Sequence, residues 1–163
     1  MKRINLKEPL VLTIFGPLLF SLKLLLEILP NIEPISLLLM VFTYRFGLKA
    51  LIPTYIYVGL DVFLHGINIW NVMYLYVWAI IVFAVLPLRK IRNGLVFAVV
   101  SGLYGLSFGF LCSLAYIFSF GLEFAFAWFI NGLPYDLIHC VGNFCFALFL
   151  YIPLTKVMDK IKL

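Results

Sequence analysis

The feature that most limits how this chain can fold is a succession of apolar segments separated by short polar connections. Six such segments are bounded by Pro, Gly and charged residues: 10–29, 35–46, 48–64, 72–86, 95–118 and 134–153. A straight helix needs about 20 residues to cross the roughly 30 Å hydrocarbon core of a bilayer. The segments therefore predict a membrane protein with six transmembrane helices, of which the second and third are short.

The composition supports a lipid environment for these segments. Only 12% of the 163 residues are charged and 65% are hydrophobic, whereas an ordinary soluble domain carries about 25% charged residues. A soluble fold of about this size buries roughly two thirds of its surface, so much apolar area would face water. We predict that residues 1–163 form a single all-α integral membrane domain in contact with the lipid bilayer.

The basic residues occur at alternate connections between the segments. Eleven of the twelve Lys and Arg residues fall in four groups, and the exception is Lys23. The groups are Lys2, Arg3 and Lys7; Arg45 and Lys49; Arg89, Lys90 and Arg92; and Lys156, Lys160 and Lys162. Cytoplasmic loops of membrane proteins carry an excess of Lys and Arg. Six spans with both termini in the cytoplasm place all four groups on that side. The net charge of +5 thus indicates a multi-pass protein of the cell membrane and not a nucleic-acid partner.

The acidic residues show the opposite distribution and concentrate in the outer half of the predicted topology. Asp61 and Asp136 lie near the outer ends of their spans, and Glu123 lies in the segment 119–133. That segment is too short to cross the membrane again after the fifth span. We expect it to form an interfacial helix that covers the outer face.

The sixth span carries four polar or polarisable residues on one helical face. Asp136, His139, Cys140 and Asn143 are spaced i, i+3, i+4 and i+7, which aligns them on a helix. Polar side chains inside a membrane are costly unless they face the bundle interior or a cavity. The face predicts a ligand-binding surface, and the alternative is a cluster of interhelical hydrogen bonds.

The third and fourth spans each carry a polar and aromatic stripe that leads toward the outer surface. Aromatic walls with a few polar groups are the usual construction of a small-molecule site. Packing or an aromatic belt at the membrane surface is the alternative. The stripes are Tyr57, Asp61 and His65 on the third span, and Asn71, Tyr74 and Trp78 on the fourth.

The first span contains two further features. Lys23 and Glu27 are four residues apart, so they either form an ion pair with each other or contact a ligand together with Asn31. A stripe of small or kinked residues, suited to close helix approach, predicts a docking surface for a partner helix. Its members are Thr13, Gly16, Pro17 and Ser21.

Enzyme and metal signatures are weak in this sequence. It contains no HExxH or Gly-rich phosphate loop, and its three cysteines show no CxxC or zinc-ligand spacing. One GxSxG run occurs at 105–109, but it lies inside the fifth apolar segment and not at the strand-to-helix turn on which that motif depends. Gly102, Gly105 and Gly109 indicate close helix packing in the fifth span. We expect neither catalysis nor a metal or other cofactor.

Three runs of the sequence resemble a known family. They are PNIEPISLLLM at 30–40, YGLSFGFLCSLAY at 104–116, and GLPYDLIHCVGNF at 132–144, the last followed by YIPL at 151–154. Together they resemble the substrate-binding S components of bacterial energy-coupling factor transporters. The resemblance extends over nearly the whole chain, and the GLPYDLIHCVGNF run is its most specific part.

The resemblance implies a non-enzymatic binder of a vitamin or vitamin precursor, with a pocket that opens outward between the helices. Its partners would be a transmembrane coupling protein and two cytoplasmic ATPases, and its location the bacterial cell membrane. The loaded S component would topple in the membrane and release its ligand inside. The chain lacks the AxxxA docking face of the family's first helix, so the Thr13 to Ser21 stripe is expected to replace it.

The patterns PN-x-x-P and GLP-x-D-x-x-H-x-x-GN are similar to members linked to cobalamin lower-ligand precursors such as α-ribazole. A queuosine precursor is a second possibility, and a membrane scaffold or assembly subunit without a small ligand is an alternative of another class. The predicted pocket is covered by the segment 123–131. It consists of Glu27, Asn31, Asp61, His65, Asn71, Tyr74, Trp78, Trp128, Asp136, His139 and Asn143.

Overall fold

The protein is described from a computed structural model that covers residues 6–28 and 34–161, and all regular secondary structure in these ranges is helical. This confirms the all-α prediction for the described residues. Short 3₁₀ turns, Gly47–Ala50 and Leu86–Leu88, follow the second and fourth helices. The helices are α1 (Lys7–Leu26), α2 (Ile35–Phe46), α3 (Leu51–His65), α4 (Ile69–Val85), α5 (Gly94–Phe120) and α6 (Leu122–Asp159).

Five helical stretches are long and apolar enough to cross a membrane, which is compatible with a multi-pass membrane protein. One of them, Ile35–His65, comprises α2, the 3₁₀ turn and α3. At about 1.5 Å per residue, the 12 residues of α2 and the 15 residues of α3 extend only about 18 Å and 22 Å. Each is shorter than a hydrocarbon core of about 30 Å.

Successive helices run in alternating directions. Two contacts at different positions along a helix pair show whether the two helices run in the same or in opposite directions. By this measure α1, α3 and α5 are parallel to one another and antiparallel to α2, α4 and α6. The contacts are Phe97–Tyr151 and Tyr116–Trp128 for α5 and α6; Ser36–Asn143 and Tyr44–Asp159 for α2 and α6; Trp70–Trp128 for α4 and α6, with Arg92–Asp159 joining the connection after α4 to the end of α6; Asp61–Asn71 and Tyr57–Trp78 for α3 and α4; and Gly16–Ile56 and Lys23–Asp61 for α1 and α3.

The chain reverses within the Ile35–His65 stretch, at the junction of α2 with the 3₁₀ turn. Gly47 ends α2 with φ +60°, a backbone conformation that glycine adopts without the steric cost of a Cβ atom. This conformation lets α3 return antiparallel to α2. The six helices therefore alternate in direction, although α2 and α3 are short.

The sixth helix differs from its prediction. α6 is continuous from Leu122 to Asp159, and α5 reverses into it at Gly121, which has φ +87°. The predictions of a separate interfacial helix at 119–133 and of a sixth span that begins at Pro134 were therefore wrong. A proline inside a helix removes one backbone N–H and can kink the helix without ending it, and membrane helices tolerate this better than soluble ones.

The two ends of the bundle differ in charge. The end at which α2, α4 and α6 terminate, here called the cationic end, carries most of the basic residues. The opposite end, here called the polar end, is where α4 and α6 begin and α3 terminates, and it carries His65, Asn68 and Trp128. The basic residues of the cationic end among the described residues are Lys7, Arg45, Lys49, Arg89, Lys90, Arg92, Lys156 and Lys160.

Candidate functional site

A charged cluster lies inside the bundle toward the polar end. The Nζ atom of Lys23 on α1 lies 2.5 Å from Oδ1 of Asp61 on α3. Asn71 of α4 donates from Nδ2 to Oδ2 of the same carboxylate at 3.2 Å, and Nδ1 of His65 lies 3.3 Å from Oδ1. Asp61 is only 2% exposed. These four residues, here called the Asp61 cluster, are brought together by three helices.

Lys23 pairs with Asp61 and not with Glu27, its neighbour four residues along the helix. Glu27 is exposed directly after the last residue of α1, and no ion pair joins it to Lys23 in the described part of the chain. The predicted alternative of a Lys23–Glu27 pair is thus wrong. Asn31, the third predicted ligand contact of this region, lies outside the described residues.

Aromatic rings form one wall beside the Asp61 cluster. The Lys23 ammonium lies 5.4 Å from the centre of the Tyr74 ring, within the range of a cation–π interaction. The Tyr74 ring is 5.5 Å from Trp78, and the Tyr57 ring is 5.9 Å from Trp78. Trp78 is completely buried, and within residues 6–28 and 34–161 its Nε1–H finds no hydrogen-bond acceptor. The residues of the two predicted stripes, on α3 and α4, are therefore in contact with each other in the structure.

Phe108 of α5 connects this wall to the predicted polar face of α6. Its ring centre lies 5.5 Å from Trp78 and 4.8 Å from the imidazole of His139, which it meets edge to face. His139 is 1% exposed, and both of its ring nitrogens lack a partner among the described residues. The α3, α4 and α6 residues are thus linked through one continuous aromatic layer.

Two further residues of the α6 face, Asp136 and Asn143, have hydrogen-bond partners. Oδ1 of Asp136 accepts a hydrogen bond from the backbone N–H of Gly109 at 2.9 Å, while its Oδ2 has no partner in the described ranges. Nδ2 of Asn143 donates to the Ser36 hydroxyl of α2 at 3.2 Å. For Asn143 this contact matches the alternative interpretation of the face as an interhelical hydrogen-bond cluster.

The polar face of α6 lies close to α5 because small residues separate the two helices. A Cβ atom on Gly105 would lie 2.7 Å from the carbonyl oxygen of His139, a distance that would force the helices apart. Gly102 and Gly109 likewise face α6, opposite Phe144 and Asp136. The prediction of helix-packing glycines in the fifth span is confirmed.

Trp128 occupies a different aromatic group, at the polar end. Its ring centre lies 5.0 Å from Tyr116 of α5 and 6.0 Å from Trp70 of α4. The segment 123–131, expected to cover the pocket, forms the first turns of α6. Trp128 therefore lies beyond the Asp61 cluster, toward the surface of the bundle.

The predicted docking residues of α1 divide between two faces. Thr13, Pro17 and Ser21 are exposed, and the Thr13 hydroxyl donates to the carbonyl oxygen of Pro9 at 2.9 Å. Gly16 is buried and packs against Ile56 of α3. The exposed stripe consequently comprises three of the four predicted residues, and Gly16 serves the internal contact between α1 and α3.

Sequence reasoning missed two contributors to this region. Ser36 is a small polar residue in the apolar first half of α2, and nothing in its local spacing indicates that it meets Asn143, 107 residues away. Phe108 lies within the glycine-rich face of α5, so its proximity to Gly105 and Gly109 is the one local signal that it contacts α6. Both contacts depend on the tertiary arrangement.

The arrangement can hold a polar, planar molecule better than a metal ion. Among residues 6–28 and 34–161, no group of three or more His, Cys, Asp or Glu side chains is placed to bind a metal. The region offers an indole N–H, an imidazole and one carboxylate oxygen without partners, next to a compensated ion pair. These groups can donate to and accept from a ligand, and the aromatic rings can stack on it.

Comparison with known proteins gave no match to the chain: no family model, no curated protein and no solved structure is similar to it. Function is therefore inferred from the geometry described above and from the motifs of the sequence.

Proposed function

We propose that the chain is the substrate-binding S component of an energy-coupling factor importer in a bacterial cell membrane. It captures a vitamin or vitamin precursor from outside, a heteroaromatic compound such as the cobalamin lower-ligand precursor α-ribazole. A transmembrane coupling protein and two cytoplasmic ATPases then drive its delivery into the cell. The resemblance of the runs at 30–40, 104–116 and 132–144 motivates this proposal, and the all-helical fold is compatible with it.

The observation that carries the proposal is the set of unpartnered polar atoms in the aromatic layer. These atoms are Nε1 of Trp78, both ring nitrogens of His139 and Oδ2 of Asp136, all buried among the described residues. A polar group removed from water without a hydrogen bond costs roughly 1 to 3 kcal/mol by mutational measures. Such groups are rare in folded proteins. A flat ligand with ring nitrogens and hydroxyls would satisfy several of them at once.

The proposal includes six crossings, with the cationic end in the cytoplasm. The alternating helix directions and the concentration of Lys and Arg at one end support it. Single cysteines placed at Lys49 or Arg92, after replacement of Cys112, Cys140 and Cys145, should react with an impermeant thiol reagent only when the membrane is opened. Labelling of both positions in intact cells contradicts this topology.

The exposed face of α1 is the proposed docking surface for the coupling protein. Ser21→Trp should abolish co-purification with the ATPase module and leave ligand binding unchanged, because the Ser21 side chain is exposed and the aromatic layer is buried. Leu103→Trp, at an exposed position on α5, is the control. If Ser21→Trp and Leu103→Trp reduce co-purification equally, the exposed face of α1 is not the specific docking surface.

The experiment that tests the function is a thermal-stability screen of the purified protein with vitamins and nucleobase precursors, α-ribazole and queuosine precursors included. A ligand present at 100 times its Kd stabilises the folded state by about 2.7 kcal/mol. A clear shift in Tm with one compound identifies the substrate class. The absence of any shift across the screen favours the alternative, a membrane scaffold or assembly subunit.

His139→Leu tests whether the aromatic layer is the ligand site. The imidazole has no hydrogen-bond partner in the described structure, so its replacement by an apolar side chain should leave the Tm of the free protein unchanged or raise it. Ligand affinity should fall about 5-fold to 150-fold, the equivalent of about 1 to 3 kcal/mol for one lost hydrogen bond. Asn143→Ala is the matched control. It removes the bond to Ser36 and should lower the Tm of the free protein.

A further inference from the structure

A cleft of about 330 Å³ opens at the cationic end, away from the aromatic layer. It lies between the last turn of α2, the connection from α4 to α5, and the last turn of α6. Its lining consists of Tyr44, Arg45, Arg89, Lys90 and Asp159. Three of these five side chains are cationic and one is anionic, so the cleft has an excess of positive charge.

The one carboxylate in the lining is already compensated. Tyr44 donates its hydroxyl hydrogen to Asp159, with oxygen–oxygen distances of 2.9 Å and 3.1 Å. Arg92, which is not among the lining residues, places Nη2 3.3 Å from Oδ2 of the same carboxylate. Asp159 thus has its charge balanced from outside the cleft and does not neutralise the cations that line it.

The lining cations, in contrast, have no acidic partner within the described residues. No carboxylate of residues 6–28 or 34–161 lies within 4.0 Å of the charged nitrogens of Arg45, Arg89 or Lys90. Three like charges around one cleft repel one another, which is unfavourable unless counter-charge is supplied. The composition of this cleft is therefore that of an anion site.

Arg45 is held by a backbone carbonyl oxygen, and Arg89 lies close to a glycine. Arg45 donates from Nη2 to the carbonyl oxygen of Ile161 at 3.0 Å, while its Nε–H is buried and has no partner in the described ranges. The Nη1 atom of Arg89 would lie only 2.6 Å from a Cβ atom on Gly47. The glycine that permits the reversal between α2 and α3 therefore also makes room for this guanidinium.

We propose that this cleft binds a phosphate group. A phosphate offers several acceptor oxygens in a tetrahedral arrangement, and arginine side chains match this geometry with paired N–H groups. Lys90 supplies a third positive charge. The group can belong to the headgroup of an anionic phospholipid, since basic residues at the cytoplasmic surface attract such lipids, or to a free phosphate compound. Both sources share the same recognition chemistry.

The test compares the purified full-length protein with two variants. Arg89→Gln combined with Lys90→Gln removes two of the three lining cations. Lys156→Gln is the matched control, because Lys156 is an exposed cation of the last turn of α6 and is absent from the cleft lining. Binding of inorganic phosphate is measured by calorimetric titration in detergent at constant ionic strength. Retention of phosphatidylglycerol over phosphatidylcholine is measured by native mass spectrometry after extraction from mixed vesicles.

We expect saturable binding in at least one arm, weakened at least 10-fold by the double substitution and unchanged by Lys156→Gln. Preferential retention of phosphatidylglycerol identifies a lipid headgroup as the source, and phosphate binding without lipid preference identifies a soluble compound. The double variant should keep or raise the Tm of the free protein, because it relieves repulsion among cations. Absence of binding in both arms, or equal weakening by Lys156→Gln, overturns the proposal.

Discussion

The polar end and the cationic end of the bundle treat charge in opposite ways. At the polar end, Lys23 and Asp61 are buried together, with side chains 17% and 3% exposed. At the cationic end, Lys49 pairs with Glu8 in the open, with side chains 59% and 32% exposed. An exposed ion pair contributes little to stability, whereas breaking a buried pair leaves a charge without compensation. Ion pairs of similar chemistry therefore differ in energetic weight because their surroundings differ.

The two ends also differ in where their charges are compensated. At the polar end, the Asp61 cluster is compensated within the protein, so its geometry depends on α1, α3 and α4 staying together. The cationic end leaves Arg45, Arg89 and Lys90 to be compensated from outside the described chain. One end is suited to hold a defined internal shape, and the other is suited to meet a surface or an anion.

The largest expected effect comes from breaking the buried pair. Asp61→Ala leaves the Lys23 ammonium without its carboxylate and should reduce the free energy of unfolding by about 3 to 5 kcal/mol. The measurement is reversible unfolding of the purified protein in mixed micelles. Lys23→Met combined with Asp61→Leu removes both charges and should recover most of that loss. A single variant no less stable than Lys49→Ala would contradict the assigned difference between the ends.

An intermediate effect is expected from the amide that supports the buried carboxylate. Asn71→Ala removes the bond to Asp61 and the acceptor for the Asn68 backbone N–H in the capping box of α4. A hydrogen bond to a charged group contributes about 1.5 to 3 kcal/mol, and a loss in that range is predicted from unfolding curves.

At the cationic end, Asn93 is the matched comparison for Asn71, because both side chains cap a helix. Asn93 caps α5 by accepting from the Leu95 backbone N–H at 2.9 Å, and it has no role in a buried ion pair. Asn93→Ala should cost about 1 kcal/mol, the usual value for a lost N-cap. If both asparagine variants lose the same stability, the bond between Asn71 and Asp61 adds nothing beyond capping.

The smallest effect is expected at the exposed pair. Lys49→Ala removes the contact with both carboxylate oxygens of Glu8, each at 3.0 Å, and should cost only about 0.2 to 1 kcal/mol. The loss should disappear in high salt, because exposed charges are screened. A cost that persists at 1 M salt would show that this pair, too, is shielded from solvent.

Local patterns predicted much of this fold. The bounds of α2 follow from Pro34 before it and Gly47 after it, and the predicted segment 35–46 matches the helix. The spacing of Asp61 and His65 also predicted that they lie near each other. These features depend on neighbours in the sequence, where the helical repeat alone determines which side chains meet.

Other features depend on contacts that no local pattern contains. The partner of Lys23 is 38 residues away, whereas helical spacing offered only Glu27 as an ion-pair partner, beside the alternative of a ligand contact. Gly132 and Pro134 were interpreted as the end of one helix and the start of another, yet α6 continues through both. A turn signal states a local preference, and packing against α5 over the length of the helix outweighs it.

The continuity of α6 has a mechanical consequence. Its 38 residues form a rod about 57 Å long at about 1.5 Å per residue, with Trp128 near one end and Asp159 at the other. A rotation of this rod by about 10° around one end displaces the other end by about 10 Å. A tilt of α6 therefore displaces Asp159, at the edge of the cleft, much further than it displaces residues near the pivot. The helix bends most easily at Pro134 and Pro153, which lie inside it. Bending at either proline would reduce the displacement of the far end.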